Sequence, residues 1–301
     1  MKRVEWIDNL RGLGIVFVII GHMSIPDMLR QFVFSFHMPL FFMISGYLYK
    51  NDFSFKWCMR KLDSLFIPYL VYGILTLAVL TIEGRYQMAM VLHNYLLGNG
   101  VGVLWFLPCL LVTEFLGGGV IRFVSSYVGM SGVIVFCALL SWLMPNLISH
   151  NILMVRTVPA ALTFWLIGCV LKQLLPCLKM SWWVVLMLIG SLFFFCQRVD
   201  MATAQYGNII LFYITAISIN CLLFIVTSGN YFRLPILQII GRCSLPLMCL
   251  HGVLPKIVAE VYNGTLSRLL NLLLLVLITT VIYRYVPILN GKSRIFTMCW
   301  K

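Results

Sequence analysis

Charge is scarce in this 301-residue chain: Asp, Glu, Lys and Arg make up 10% of it, against 61% hydrophobic residues. A soluble globular domain is roughly one quarter charged and half apolar, so water is not the main solvent of this chain. It also lacks any stretch long enough for a separate soluble domain. Apolar segments of membrane-crossing length, about 20 residues for a core near 30 Å, recur from Leu10 to Pro287. There is no CxxC pair and no Cys/His metal spacing, so the ten cysteines predict neither a disulfide framework nor a metal site. Those within apolar runs, such as Cys109, Cys137 and Cys221, behave as small hydrophobes. No small-residue cleavage pattern follows Gly21, so Lys2 and Arg3 ahead of the first apolar run do not make a cleaved signal. Helix one is expected to stay in the protein. Internal repeats and low-complexity tracts are missing as well.

What is present predicts an all-α polytopic membrane protein with about ten transmembrane helices, built as one domain over residues 1–301. Between charged or turn-rich breaks, apolar spans run near residues 8–25, 30–49, 64–82, 103–124, 127–145, 157–175, 181–196, 208–228, 243–258 and 267–286. Taking the amino terminus as cytoplasmic, sixteen of the 22 basic residues fall on that side, among them Lys50, Lys56, Arg60 and Lys61. The positive-inside rule then puts both termini in the cytoplasm, as an even span count requires. The net charge of +13 is spread singly or in pairs at the ends of apolar runs, which predicts membrane orientation and no nucleic-acid partner. The longest extracytoplasmic stretch is residues 83–102, and its end, Gly98-Asn99-Gly100-Val101-Gly102, reads as a flexible turn entering the fourth span.

An ionisable group inside a span is costly to bury and is a site hypothesis by default. Arg11 and His22 both lie on the first helix. Eleven residues at 100° each end about 20° beyond three full turns, so the two share a face, about 16 Å apart along the axis. Arg11 then sits near the cytoplasmic boundary, where a guanidinium can hold phosphate, and His22 lies in the outer half, where an imidazole can act as base or nucleophile. Taken singly, Arg11 is an orientation residue and His22 a hydrogen-bonded packing residue. His37 lies two residues before Pro39, whose ring removes a backbone donor and can bend the second helix toward a cavity. Glu114, midway along the fourth span, is the one acidic residue deep in an apolar run. Paired with His22 or His37 it orients a base; paired with a basic residue it is structural.

The run Ile7-Asp8-Asn9-Leu10-Arg11-Gly12-Leu13-Gly14 continuing to Gly21-His22 resembles the opening of the membrane-bound acyltransferase 3 family, whose first helix carries an Arg or Lys, ten residues, then His. Phe36-His37-Met38-Pro39-Leu40-Phe41-Phe42-Met43-Ile44-Ser45-Gly46-Tyr47-Leu48 is similar to the family's second-helix signature, particularly in the subgroup resembling fucose O-acetylases. Weaker matches follow at Trp105-Phe106-Leu107 and at Gly241-Arg242-Cys243-Ser244-Leu245 leading to His251. One departure stands out. Members often carry two Arg residues three apart before the third helix, whereas this chain has Arg60 and then Asp63.

The resemblance implies transfer of an acyl group, usually acetyl from acetyl-CoA, to a sugar hydroxyl of an envelope polysaccharide or lipid-linked glycan in a bacterial inner membrane. It gives His22 the catalytic role, with Arg11 as its basic partner and His37 as a further candidate; Glu114 is a candidate from its place in the fourth span alone. Arg60 and Lys61 join Arg11 as candidates for binding acetyl-CoA, and the same cluster is also what orientation alone requires. Membrane lipid is an expected partner, and a partner protein or a second copy is expected to complete the acceptor site. The competing reading is an exporter of lipid-linked sugars; against it, the ionisable residues cluster in the first four spans.

Overall fold

The computed structural model describes residues 4–84, 87–177, 198–229, 234–254 and 265–298. Every regular element among them is helical; the single β-bridge joins Asp200 to Gln205. The chain divides into two compact units. The first holds Met1–Asp52, Thr113–Ser149 and Val155–Gly241, and the second Phe53–Val112, His150–Met154 and Arg242–Lys301.

In the first unit, α1 (Glu5–Gly21) and α2 (Asp27–Tyr47) form an antiparallel pair. In the second, α3 (Phe55–Lys61) runs through a π-helical turn at Leu62–Phe66 into α4 (Ile67–Glu83), and α5 (Met88–Leu96) follows. A tight 3-10 turn at Gly102–Trp105 opens α6 (Phe106–Phe123), followed by α7 (Tyr127–Leu147) and α8 (Val158–Leu174). Later come α9 (Ile209–Ser228), α10 (Pro235–Arg242), α11 (Ser244–Leu250), α12 (Thr265–Tyr285) and α13 (Ile295–Met298).

The first unit is built around α2, which packs on α1, α8 and α9, with α7 on the far side of α8. Its stretch from Ser35 to Ile44 is buried on every side, as expected of a helix apolar all round and surrounded by others. Glycines allow this closeness. A Cβ on Gly46 would strike the Trp165 carbonyl of α8, and one on Gly168 would strike the Met43 carbonyl of α2. The same reciprocity joins α1 to α10, where Gly12 faces the Leu237 carbonyl and Gly241 the Asp8 carbonyl. Small residues that let backbones approach are how helices associate where lipid removes the hydrophobic drive. By contrast α7 leaves Val135, Phe136, Leu139, Trp142 and Leu143 exposed, and only 11% of its apolar window is buried. A polar solvent would not tolerate that stripe; lipid does.

Six helices are long and apolar enough to cross a membrane among the described residues: Asp27–Tyr47, Phe55–Ile82, Gly102–Phe123, Tyr127–Leu147, Ile152–Cys177 and Ile209–Ser228. They match six of the ten expected spans. Of the others, α1 is 17 residues long, the expected span 267–286 falls on α12, Thr265–Tyr285, and the expected span 243–258 contains the seven-residue α11. The span expected at 181–196 and the end of 243–258 lie outside the described residues.

The stretch 83–102, read in the sequence as a loop, holds a helix ahead of its glycine-rich end, because α5 occupies its middle and packs on α4. The Tyr69 hydroxyl donates to the Tyr95 carbonyl at 2.6 Å, the Tyr95 hydroxyl donates to the Leu70 carbonyl at 3.0 Å, and the two rings stack at 5.0 Å. Nine residues of helix rise only about 13 Å, so α5 lies against the bundle without crossing it.

Candidate active site

The register of α1 on α2 is set by Gly21, which faces Val33 and Phe34, and Gly14, which faces Leu40 and Phe41. Continuing that register places Arg11 level with Met43 and Ile44. The helix ends at Gly21, and His22 is its C-cap residue, with an exposed side chain. Its Nδ1 lies 2.9 Å from the Val18 carbonyl. A carbonyl only accepts, so Nδ1 donates this bond. The ring is thus held by one turn of α1 itself.

His37 repeats this arrangement one helix over. Its Nδ1 donates to the Val33 carbonyl at 2.7 Å, and the residue is 2% exposed. The Phe34 ring stands between the two histidines, 5.5 Å from the His22 ring and 5.0 Å from the His37 ring. The imidazoles are near enough to act on one another electrostatically. Pro39 takes the amide away from the Ser35 carbonyl, and next to that break Asn220 of α9 donates to the Phe36 carbonyl at 3.2 Å. The stretch of α2 around His37 is therefore held from a neighbouring helix.

Glu114 sits elsewhere in this unit. The Ser45 hydroxyl of α2 donates to its Oε1, and Ser45 is eight residues beyond His37, about 12 Å along the helix. The carboxyl, 1% exposed, thus lies at the end of α2 that is level with Arg11, away from the histidines. Around it, the Cys169 thiol donates to the Gly46 carbonyl at 3.2 Å, and Lys172 donates to the Tyr49 carbonyl at 2.6 Å. The sequence reading passed over Ser45, Asn220 and Lys172, whose partners lie 69, 184 and 123 residues away.

Arg60 and Lys61 belong to the second unit. They line a cavity of about 790 Å³ between α3 and the segment Gly291–Met298. Lys61 lies over the Trp57 ring at 5.4 Å. Asp63, at the position where a second Arg was expected, points the other way: it is 2% exposed and accepts from the Phe296 amide at 2.9 Å and the Thr297 amide at 3.0 Å. His251, also in this unit, bonds the Leu247 carbonyl through Nδ1 at 3.2 Å.

This unit-by-unit geometry accompanies a family match over nearly the whole chain. The model described as an acyltransferase domain, Acyl_transf_3, covers residues 4–286. No curated protein matches the chain, and no solved structure does. With its apolar helices, its Arg11-to-His22 helix and a match that spans both units, the chain is a multi-pass membrane acyltransferase and belongs to the acyltransferase 3 family.

Proposed function

We propose that this protein is an O-acetyltransferase of the bacterial inner membrane, moving an acetyl group from cytoplasmic acetyl-CoA to a sugar hydroxyl of an envelope polysaccharide or lipid-linked glycan. It works as one acyltransferase domain over residues 1–301, with about ten spans and both termini cytoplasmic. The observation that carries this reading is the His22 imidazole held at the end of α1 through Nδ1 on the Val18 carbonyl, on the helix that also carries Arg11.

His22 acts at Nε2 by one of two routes. As general base it takes the proton of the acceptor hydroxyl while the oxygen attacks the thioester carbonyl; the C–O bond forms, the C–S bond breaks, and the thiolate leaves and collects a proton. As a relay, Nε2 itself attacks the carbonyl and the C–S bond breaks to release the thiolate; the sugar hydroxyl then attacks the acetyl-imidazole, the C–N bond breaks to return the imidazole, and the hydroxyl proton passes to the thiolate. Arg11 meets negative charge at the inner end of the same helix. His37 orients the acceptor or His22 through the Phe34 ring. Arg60 and Lys61 bind the donor's phosphates. Glu114, bonded to Ser45, fastens α2 to α6. Lipid surrounds the bundle, and a partner protein or second copy completes the acceptor site.

The test compares envelope glycans from cells carrying the intact gene, a deletion and His22→Ala, using mass spectrometry to follow an acetyl-sized increment removed by mild base. Positioned acid–base groups contribute about 10²- to 10⁴-fold, so the increment is expected to vanish in both altered strains. Unchanged acetylation, with altered amounts of surface glycan in the deletion, would sink the proposal and favour export.

A further inference from the structure

The cavity of the second unit has two walls of opposite origin in the chain. One, from α3 and the π-helical turn, supplies Lys56, Arg60 and Lys61; the other, Gly291–Met298, supplies Lys292 and Arg294. Five cations therefore share one space, and no acidic side chain lines it among the described residues. Like charges at such separations repel, so a polyanion between the walls is the arrangement that stabilises both. Its volume, about 790 Å³, lies within the roughly 300–1,000 Å³ of small-molecule sites and is far larger than one phosphate needs.

The second wall is fastened in place. The Tyr72 hydroxyl donates to the Leu289 carbonyl at 3.0 Å, and the Lys292 amide closes a turn on Pro287 at 2.9 Å. Gly291 has φ +67° and lies so close to the Ser64 carbonyl that a Cβ there would come within 2.7 Å. Asp63 bonds one carboxylate oxygen to the Phe296 amide and the other to the Thr297 amide. The segment is thus tied directly to the turn that follows Arg60 and Lys61, and Lys292, over the Tyr283 ring at 4.5 Å, and Arg294 both keep exposed side chains.

We propose that Gly291–Met298 is part of the acyl-donor site: Lys292 and Arg294 bind phosphate groups of the coenzyme A thioester, and Asp63 is the positioning residue that holds them there. This rests on the reading of the donor as acyl-CoA. Coenzyme A carries a pyrophosphate and a ribose phosphate, together about four negative charges near neutral pH, a close match to five cations. The segment lies beyond the family match, which ends at residue 286.

The test measures coenzyme A binding to the purified full-length protein in phosphatidylcholine nanodiscs, with and without phosphatidylglycerol, by calorimetry. Melting temperature is followed for every variant. Lys292→Gln/Arg294→Gln leaves the Asp63 bonds intact and is expected to weaken binding about tenfold or more, with a shallower salt dependence. Asp63→Asn is expected to weaken binding too, and in the triple variant to add little to the Lys292/Arg294 loss, which a merely structural role would not produce. If Arg60→Gln/Lys61→Gln weakens binding while Lys292→Gln/Arg294→Gln stays within twofold of the unaltered protein, the proposal is overturned and the donor reading stands. If the unaltered protein binds no coenzyme A, the donor reading fails and takes the proposal with it. If coenzyme A binding is unaltered by Lys292→Gln/Arg294→Gln and only a phosphatidylglycerol-dependent rise in melting temperature is lost, the cavity holds lipid headgroups instead, which also overturns it.

Discussion

At the scale of single residues, the candidate site relies on side chains bonded to their own helix. His22, His37 and His251 each use Nδ1 on the carbonyl four residues back. That habit commits one nitrogen, and a single sequence cannot reveal it because it depends on rotamer. The common face of Arg11 and His22 is an expectation from helical spacing, and His22 stands one residue past the end of α1. Glu114 was legible only as an anomaly; whether its partner is His, cation or hydroxyl depends on which residue of α2 lies opposite. Ser45→Ala takes the hydroxyl from a buried carboxyl and is expected to cost about 1–3 kcal/mol, read as a lower midpoint in thermal or denaturant unfolding in detergent. Glu114→Gln preserves shape and is expected to lower that midpoint while acetyl transfer by the folded fraction stays within about threefold. A loss near 10²-fold, without loss of fold, would instead move Glu114 into the proton-transfer machinery.

At the scale of elements, most helices lay close to where hydrophobicity placed them, because a membrane span is written in length and composition. The span read at 127–145 is α7, Tyr127–Leu147, and Pro145 sits inside its last turn without ending it. Two elements escaped for a physical reason. The π-helical turn at Leu62–Phe66 is a choice of hydrogen-bond partner within one continuous helix, invisible to periodicity. The helix α5 looked like loop because it is short, and it is held by tyrosine bonds to α4 instead of by its own length. Helix–helix contact was also hidden, since a glycine in a span looks the same whether it faces lipid or a neighbouring carbonyl. Gly46→Val and Gly168→Val are each expected to destabilise the protein by about 1–3 kcal/mol through overpacking of α2 on α8, seen as a lower unfolding midpoint. Gly119→Ala, with nothing within 4 Å of the added carbon, is the matched control and is expected to leave the midpoint unchanged. Gly12→Val should act differently from both. It pushes α1 off the Leu237 carbonyl one residue from Arg11, so transfer is expected to fall further than stability alone explains.

At the scale of the whole molecule, the ten-span, termini-inside arrangement is a proposal that the six long helices leave to be tested by topology. The helices α2, α6, α7, α8 and α9 each reach or exceed 17 residues, about 25 Å or more of rise. Tilt and flanking side chains close a gap of that size to a 30 Å core. The same argument admits α1: its 17 residues suffice if Arg11 reaches the headgroups by extending its stem. Reporter fusions check the order directly. A reporter active only outside the cytoplasm is expected to be silent when joined after Asn51, active after Gly84, silent after Val124, active after Ser149 and silent after Cys177. These points alternate because each lies one span beyond the last, and the basic residues Lys50, Arg122 and Lys172 all fall beside the silent ones. Activity after Asn51 would invert the orientation, placing Arg60 and Lys61 away from cytoplasmic coenzyme A and undoing the donor reading along with the topology. Activity at both Gly84 and Val124 would be narrower in effect. It would show that the α6 stretch does not cross, reduce the span count to an odd number, and leave one terminus outside while the first two helices keep their places.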